Sequence, residues 1–294
     1  MNVLDGKYTQ AYTVQSHFID GACRFTLLGM LAKSQDLVSF HFGENRLSIP
    51  HLNEHGRTWV VSKQHFEIDE YPLWRDELAL QSWMEPVQGP FVTYNYAYSF
   101  VEPHGKKLTA EQCILNEPVT VQTQLLPFLK ATSLWILLDV NTLRPVRPTE
   151  PEFARFITCT EKTVQTKFPK LELPEQWHVE QEFCPTRLDI DLNGHVNNLE
   201  YIKYIMSWLP DQVSHGKLVC TLDTNYLSSA HISDTLICRS AIQSESETQT
   251  VVVHSIVRGD NSEVFRARSV WQEEWTLSRR MDVMNAHQAN TGVC

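Results

Sequence analysis

No C-x-x-C pair occurs anywhere in this chain, and its seven cysteines, Cys23, Cys113, Cys159, Cys184, Cys220, Cys238 and Cys294, are scattered and odd in number. That excludes a paired-cysteine zinc site and a disulfide framework, and it points to reduced thiols. No metal and no cofactor is implied. No apolar run is long enough to span a bilayer. The stretch Met1-Asn2-Val3-Leu4-Asp5-Gly6-Lys7 lacks the charged, then apolar, then small-residue order of a signal peptide. A cytoplasmic protein with no membrane span is therefore expected. Positive charge is short as well: 25 Lys and Arg against 35 Asp and Glu leave a net charge of −10. That argues against nucleic acid as a partner. An acidic partner protein would need a local basic patch, for which Arg144, Arg147, Lys162 and Lys167 are candidates.

What the chain does have is one dense polar stretch, Asp189-Ile190-Asp191-Leu192-Asn193-Gly194-His195-Val196-Asn197-Asn198. Val196, Leu199, Ile202, Ile205, Met206 and Leu209 then recur at spacings of three and four, the mark of a helix with one apolar face. Pro210 stops that helix. Two carboxylates, an imidazole and several amides thus sit at a helix start, beside free backbone N–H groups and the positive end of the dipole. Such a place is suited to stabilising an oxyanion. Capping alone accounts for one or two of these residues.

At 294 residues the chain holds one large domain or two of ordinary size. A strand begins at Tyr8, and a helix is expected from Arg24 to about Phe42, ended by Gly43. Strands follow at 57–69, 77–84, 91–101, with a turn at His104-Gly105, and 131–139. Pro145, Pro148 and Pro151 break the pattern, with a short helix expected at 152–158. A strand at 177–183, the polar turn and its helix, and strands at about 217–226, 234–244, 248–258 and 263–275 complete the reading.

The order strand, long helix, several strands thus occurs twice, and the copies share short echoes. Ala131-Thr132-Ser133-Leu134-Trp135 is answered by Ala267-Arg268-Ser269-Val270-Trp271, and Asp76-Glu77-Leu78 by Asp234-Thr235-Leu236. The echoes stand 136 and 158 residues apart, so the first copy carries about 22 extra residues between them, which fits the irregular stretch 109–130. That stretch is a longer hairpin, a lid or a partner-binding loop. Two halves pairing edge to edge would remove an exposed strand edge.

The motif Asp191-x-Asn193-x-His195-Val196-Asn197-Asn198 with Tyr201 resembles that of the acyl-acyl carrier protein thioesterase family. Gln35-Asp36 with His41, Trp59-Val60-Val61, Tyr71-Pro72-x-Trp74-x-Asp76 and Ser133 to Asp139 with Thr142-x-Arg144-Pro145 resemble the family's first half, so the likeness runs over roughly 8–275. It implies an α+β double hot-dog, two tandem repeats each with a long central helix wrapped by antiparallel sheet, joined into one continuous sheet. With the prolines marking a linker at 142–170 and the absence of apolar period marking a mobile tail at 278–294, the expected division is an N-terminal hot-dog at 1–141 with its insertion at about 109–130 and a C-terminal hot-dog with the catalytic motif at 171–277. The implied reaction is hydrolysis of fatty acyl-acyl carrier protein to free fatty acid and carrier thiol.

For that chemistry Asp191 is the first candidate, activating water, attacking the carbonyl or orienting its neighbours. Asn193 positions water or the carbonyl, and His195 polarises or shuttles a proton. N–H groups near Val196 complete an oxyanion hole, with Asn197 and Asn198 in support. Asp189 is expected to face solvent and Cys184 to be a small core residue. Trp59, Trp74 and Trp83 are expected in the core, where the family's acyl chain would run. The family carries a glutamate shortly after a tyrosine matched by Tyr226, and its plant members a cysteine beside it; here Ser229 and Ala230 occupy those places, with His231 next. Asp223 is a candidate substitute base. Two alternatives stay open: an acyl-CoA thioesterase, and an acyl-binding hot-dog module without turnover. A monomer and a homodimer are both compatible with a tandem repeat.

Overall fold

A computed structural model describes residues 3–87, 89–101, 126–148, 153, 156–165 and 168–273. Its first half holds β1 (Val3–Leu4), β2 (Lys7–Thr13), α1 (Leu27–Glu44), α2 (Ile49–Asn53), β3 (Arg57–Ile68), β4 (Glu77–Met84), β5 (Phe91–Phe100) and β6 (Leu129–Asp139). The second holds β7 (Val179–Phe183), α3 (Asn198–Ser207), α4 (Asp211–Ser214), β8 (Lys217–Tyr226), β9 (Leu236–Glu245), β10 (Thr250–Arg258) and β11 (Glu263–Glu273). The strands form one antiparallel sheet of 11, in the order β1-β2-β4-β5-β6-β3-β8-β11-β10-β9-β7. Read outward from the β3–β8 seam, β6, β5, β4 and β2 on one side are matched by β11, β10, β9 and β7 on the other. Strands and helices are β-branched, aromatic and alternating where sequence pattern demands it: Tyr94, Tyr96 and Tyr98 are all buried on one face of β5.

The sequence echoes mark the same bonds made twice. Trp135 Nε1 donates to Ser133 Oγ at 2.8 Å, and Trp271 Nε1 to Ser269 Oγ at 2.7 Å. A buried indole N–H needs an acceptor, and a serine two residues back on the same strand supplies it. Leu73 N–H donates to Asp76 Oδ2 at 2.9 Å, and His231 N–H to Asp234 Oδ2 at 3.0 Å, so each aspartate closes the turn before its strand.

Several boundaries differ from expectation. α1 begins at Leu27 behind an N-cap, Thr26, whose Oγ1 accepts from Gly29 N–H at 3.1 Å. Gly43 lies inside the helix, which ends at Glu44 with Asn45 as its cap. α3 begins two residues after Val196 because Asn197 caps it, its Oδ1 accepting from Leu199 N–H at 2.9 Å. The buried face of α3 is Tyr201, Ile202, Tyr204 and Ile205, so tyrosines share a stripe expected to be purely aliphatic. Asp189 is only 5% exposed rather than solvated: it closes a capping box with Thr186. Cys184 is exposed, beyond the edge strand β7. Trp59 and Trp83 are core, whereas Trp74 is exposed.

The expected linker packs onto the first half. Phe153 and Phe156 are buried beside Trp59 and His41, at ring separations of 5.8 and 4.4 Å. Trp83 Nε1 donates to Glu161 O at 2.8 Å and Thr163 Oγ1 to Ala131 O at 2.7 Å. Of the expected helix at 152–158, residues 152, 154 and 155 lie outside the described residues, and Phe156 N–H donates to Phe153 O at 2.9 Å. Residues 109–125 of the expected insertion, the turn at His104-Gly105 and the tail 278–294 lie outside the described residues, and Leu129 and Lys130 belong to β6. Among the described residues no helix is long and apolar enough to cross a membrane.

At the seam His65 faces Asp223, with Nδ1 2.7 Å from Oδ1, and Glu67 lies 3.3 Å from Nε2. Burial alone would lower the pKa of this imidazole; its bonds to Asp223 and Glu67 outweigh that and raise it. A raised histidine stabilises the fold fully below the unfolded value of about 6.5, and that contribution is lost as pH rises through the higher folded value. Thermal melts above about pH 6.5 should therefore decline with pH more steeply for the wild type than for His65→Gln. Parallel curves would remove the seam histidine from the account.

Candidate active site

The polar stretch is a tight turn ahead of α3, and it too is made twice. Asp191 N–H donates to His195 O at 2.8 Å and Gly194 N–H to Asp191 O at 3.0 Å. In the first half Asp20 N–H donates to Arg24 O at 2.9 Å and Cys23 N–H to Asp20 O at 3.0 Å. Asp191 Oδ1 accepts from the N–H groups of Asn193 (2.8 Å) and His195 (3.4 Å), as Asp20 Oδ1 does from Ala22 (2.9 Å) and Arg24 (3.0 Å). The third residue after each aspartate has positive φ, 78° at Gly194 and 60° at Cys23. Each turn then leads to an N-cap, Asn197 or Thr26. The fold thus needs an aspartate-type acceptor at both places. It does not need Asn193 or His195, since Ala22 and Arg24 serve in the twin. That difference is the chemical content of the second turn.

A cavity of about 190 Å³ lies against this turn. The first half contributes Val38 and Phe42 of α1, Trp59 and Val61 of β3, and Trp135 of β6; the second contributes Asp191, Asn193, Asn197 and Asn198. A mostly apolar, aromatic wall from one half, with Gln35, Ser39 and Ser48 set in it, therefore meets a carboxylate, amides and Leu192 from the other. Thr58 Oγ1 in β3 donates to Asn193 Oδ1 at 3.3 Å, tying the amide to the first half and leaving its NH2 to donate elsewhere. Beyond Asn198 a polar end follows, where Tyr226 O–H donates to Gln64 Oε1 at 3.0 Å and to Asn198 O at 3.3 Å. Burial raises the Tyr226 phenol, so it stays a neutral donor.

The expected residues fall into three groups. Asp191 and Asn193 reach the cavity. His195 is not among the residues lining the cavity; its ring is set edge to face on that of His231 with centroids 4.8 Å apart. Burial first, and the charge of His231 second, hold the His195 imidazole below its ordinary range, against a smaller opposing pull from Asp191. It is thus neutral and able to accept a proton at pH 7. The third group is corrected. The Val196 N–H, expected in an oxyanion hole, donates to Ala230 O at 2.9 Å, and the Asn197 N–H donates to Asp189 O at 2.8 Å. Leu199 N–H is capped by Asn197, which leaves the N–H of Asn198 as the donor of this helix start without a partner among the described residues. Asp223 is no substitute base: it stands three residues from the inward Tyr226 on one strand, so it faces the opposite side of the sheet, paired with His65.

Sequence pattern does not mark Thr58 or Gln64, and it marks His231 only as the neighbour of Ser229 and Ala230, where a surface histidine is the plainer reading. A β-bulge at Val61–Lys63 shifts the parity of β3, so Trp59 and Val61 line the cavity before it and Gln64 lines the adjoining polar end after it. Alternation read from sequence carries no sign of where that shift falls.

Family models of the acyl-ACP thioesterase N-terminal domain and C-terminal domain match residues 5–113 and 173–273. An oleoyl-acyl carrier protein thioesterase of Arabidopsis thaliana is 27% identical over 245 residues, 74% of this chain and 60% of that protein. A dodecanoyl-[acyl-carrier-protein] hydrolase of Cinnamomum camphora is 22% identical over 257 residues, 85% of this chain and 60% of that protein. The chain therefore spans about 60% of the length of these curated relatives. Among solved structures, a 12:0-ACP thioesterase of Umbellularia californica superposes with a TM-score of 0.76 at 18% identity, covering 92% of this chain and 96% of that one. An acyl-ACP thioesterase of Bacteroides thetaiotaomicron gives 0.73 at 20% identity, covering 92% and 100%. These likenesses carry the double hot-dog fold.

Proposed function

The chain belongs to the acyl-ACP thioesterase family, and from that premise we propose that it hydrolyses fatty acyl-acyl carrier protein to free fatty acid and carrier thiol. The observation that carries this reading is the shared cavity: an apolar wall of Val38, Phe42, Trp59 and Val61 meets Asp191 and Asn193 at one point. The acyl chain lies against the aromatic wall and its thioester carbonyl sits at the turn. Asp191 takes a proton from water through Oδ2, because Oδ1 is committed to the turn. The water oxygen bonds to the carbonyl carbon while the Asn193 NH2 and the Asn198 N–H donate to the developing oxyanion. The carbon–sulfur bond then breaks and the thiol departs as thiolate, which needs little acid help near neutral pH. Both halves of the site come from one chain, so a single copy suffices.

Arg144 and Arg147 are exposed just after β6 and are offered here as cations for an acidic carrier; Lys162 lies 3.7 Å from Glu85, and Lys167 is outside the described residues. The free, unpaired thiols of Cys23, Cys159, Cys184, Cys220 and Cys238 support residence in a reducing compartment, the cytoplasm in this reading.

Incubation with acyl-acyl carrier protein should release thiol and free fatty acid in equal amounts. Thiol release without free acid would mean transfer to another acceptor and end the hydrolase reading. Removing the Thr58 bond should loosen Asn193: Thr58→Val is expected to lower kcat roughly two- to tenfold, the worth of one hydrogen bond, with KM little changed. An equal rise in KM instead would assign Thr58 to substrate binding.

A further inference from the structure

His231 lies on the loop between β8 and β9, which is fastened at both ends. Ala230 O accepts from Val196 N–H, and Ala230 N–H donates to Tyr201 Oη, both at 2.9 Å. Asp234 accepts from His231 N–H at 3.0 Å and pairs with Arg258 at 3.1 Å, and Arg258 also donates to Ser228 Oγ at 2.9 Å. The backbone of His231 is therefore fixed while its side chain is exposed, and its ring meets that of His195 at 4.8 Å with planes 76° apart. The twin in the first half shows what the fold itself requires here. The place of His195 is taken by Arg24 and that of His231 by Leu73, and these two are bridged. Neither position needs an imidazole for the turn to form, yet the second half carries one at each, beside Asp191.

We propose that His231 is a further positioning residue of the hydrolytic site, its ring holding the His195 imidazole in its orientation beside Asp191. This rests on the hydrolase reading above. The neighbouring imidazole of His231 disfavours a positive charge on His195, because two like charges at this separation repel. Among the described residues, the charged or titratable groups that face them are Asp191 on the turn, Tyr201 on α3, Asp234 on the loop and Arg258 at the end of β10. Asp234 is spent on Arg258, and Asp191 alone pulls toward a charged His195. A neutral His195 is the form that can accept from Asp191 the proton that the carboxylate takes from water, which returns Asp191 to its basic form.

The test compares the full-length wild type with His231→Asn and His231→Phe across about pH 5 to 9. Two readouts are taken: kcat/KM on an acyl-acyl carrier protein ester, and the NMR titration of the His195 ring, assigned with His195→Gln. Removing His231 lifts one of the two forces that keep His195 neutral and leaves burial in place. The acid limb of the profile should then move to higher pH in both variants, so that activity at about pH 5.5, relative to that at pH 8, falls several-fold. The His195 titration should move the same way. Superimposable profiles and titrations would overturn the proposal, whatever the height of the plateau. A wild type that hydrolyses no thioester would end the hydrolase reading alone, and the NMR titration would still decide whether the two rings are coupled.

Discussion

Asp191→Asn should lower kcat for thioester hydrolysis by about 10²- to 10⁴-fold, the worth of a positioned general base, while leaving the melting temperature almost unchanged. The two halves of that expectation come from different oxygens. Asp191 Oδ1 accepts the N–H groups of Asn193 and His195, and an amide oxygen accepts them equally well. Oδ2, the oxygen assigned to water, becomes an NH2 that cannot take a proton. Asp191→Ala separates the roles further. It removes both acceptors, leaves two N–H groups of the turn unpaired, and should cost about 1–3 kcal/mol of stability besides the activity. Steady-state rates and thermal melts of the two variants side by side check both parts. An Asn variant with the wild-type rate would remove Asp191 from the chemistry and leave it a turn residue, as Asp20 is.

Filling the cavity should set the length of the acyl chain. At about 190 Å³ the space is below the roughly 300–1,000 Å³ of pockets for drug-sized ligands, so little room is spare. Val61 is buried in β3 and lines the cavity together with Trp59. Val61→Phe should lower kcat/KM on the longest accepted ester by tenfold or more, since each excluded methylene is worth about 1–3 kcal/mol. Short esters should keep most of their rate. The larger ring should also cost about 1–3 kcal/mol in packing, visible as a lower melting temperature. A uniform loss across all lengths would show that the acyl chain does not run along this wall.

The sequence carried the repeat, the strands and the polar turn because each rests on local pattern: alternation, helical spacing, or a bond between near neighbours such as Ser133 and Trp135. The turn at Asp191 was legible as a site because it concentrates polar groups where the fold needs only one. Its twin at Asp20 was not legible, since Ala22, Cys23 and Arg24 share no side-chain chemistry with Asn193, Gly194 and His195; only the hydrogen bonds match. The role given to Val196 failed for a related reason. Its N–H bonds to Ala230, more than thirty residues on, and the first half repeats the bond from Phe25 to Pro72. Such a partner is set by tertiary structure. Gln64 was hidden by the bulge in β3, which changes side-chain parity without leaving a residue-type signature; Thr58 stands before the bulge, and its bond to Asn193, 135 residues on, is set by tertiary structure. Asp189, read as solvated, was by contrast available: Thr186 three residues before it is the spacing of a capping box.

The most direct test of the central claim is thiol release by the wild-type chain from matched acyl-acyl carrier protein and acyl-CoA esters over a range of chain lengths. Turnover on the carrier-protein esters, exceeding that on the CoA esters and falling off beyond a limiting chain length, is the expected result. No turnover on any ester, with tight acyl binding measured by calorimetry, would contradict it and make the cavity a binding site rather than an active one.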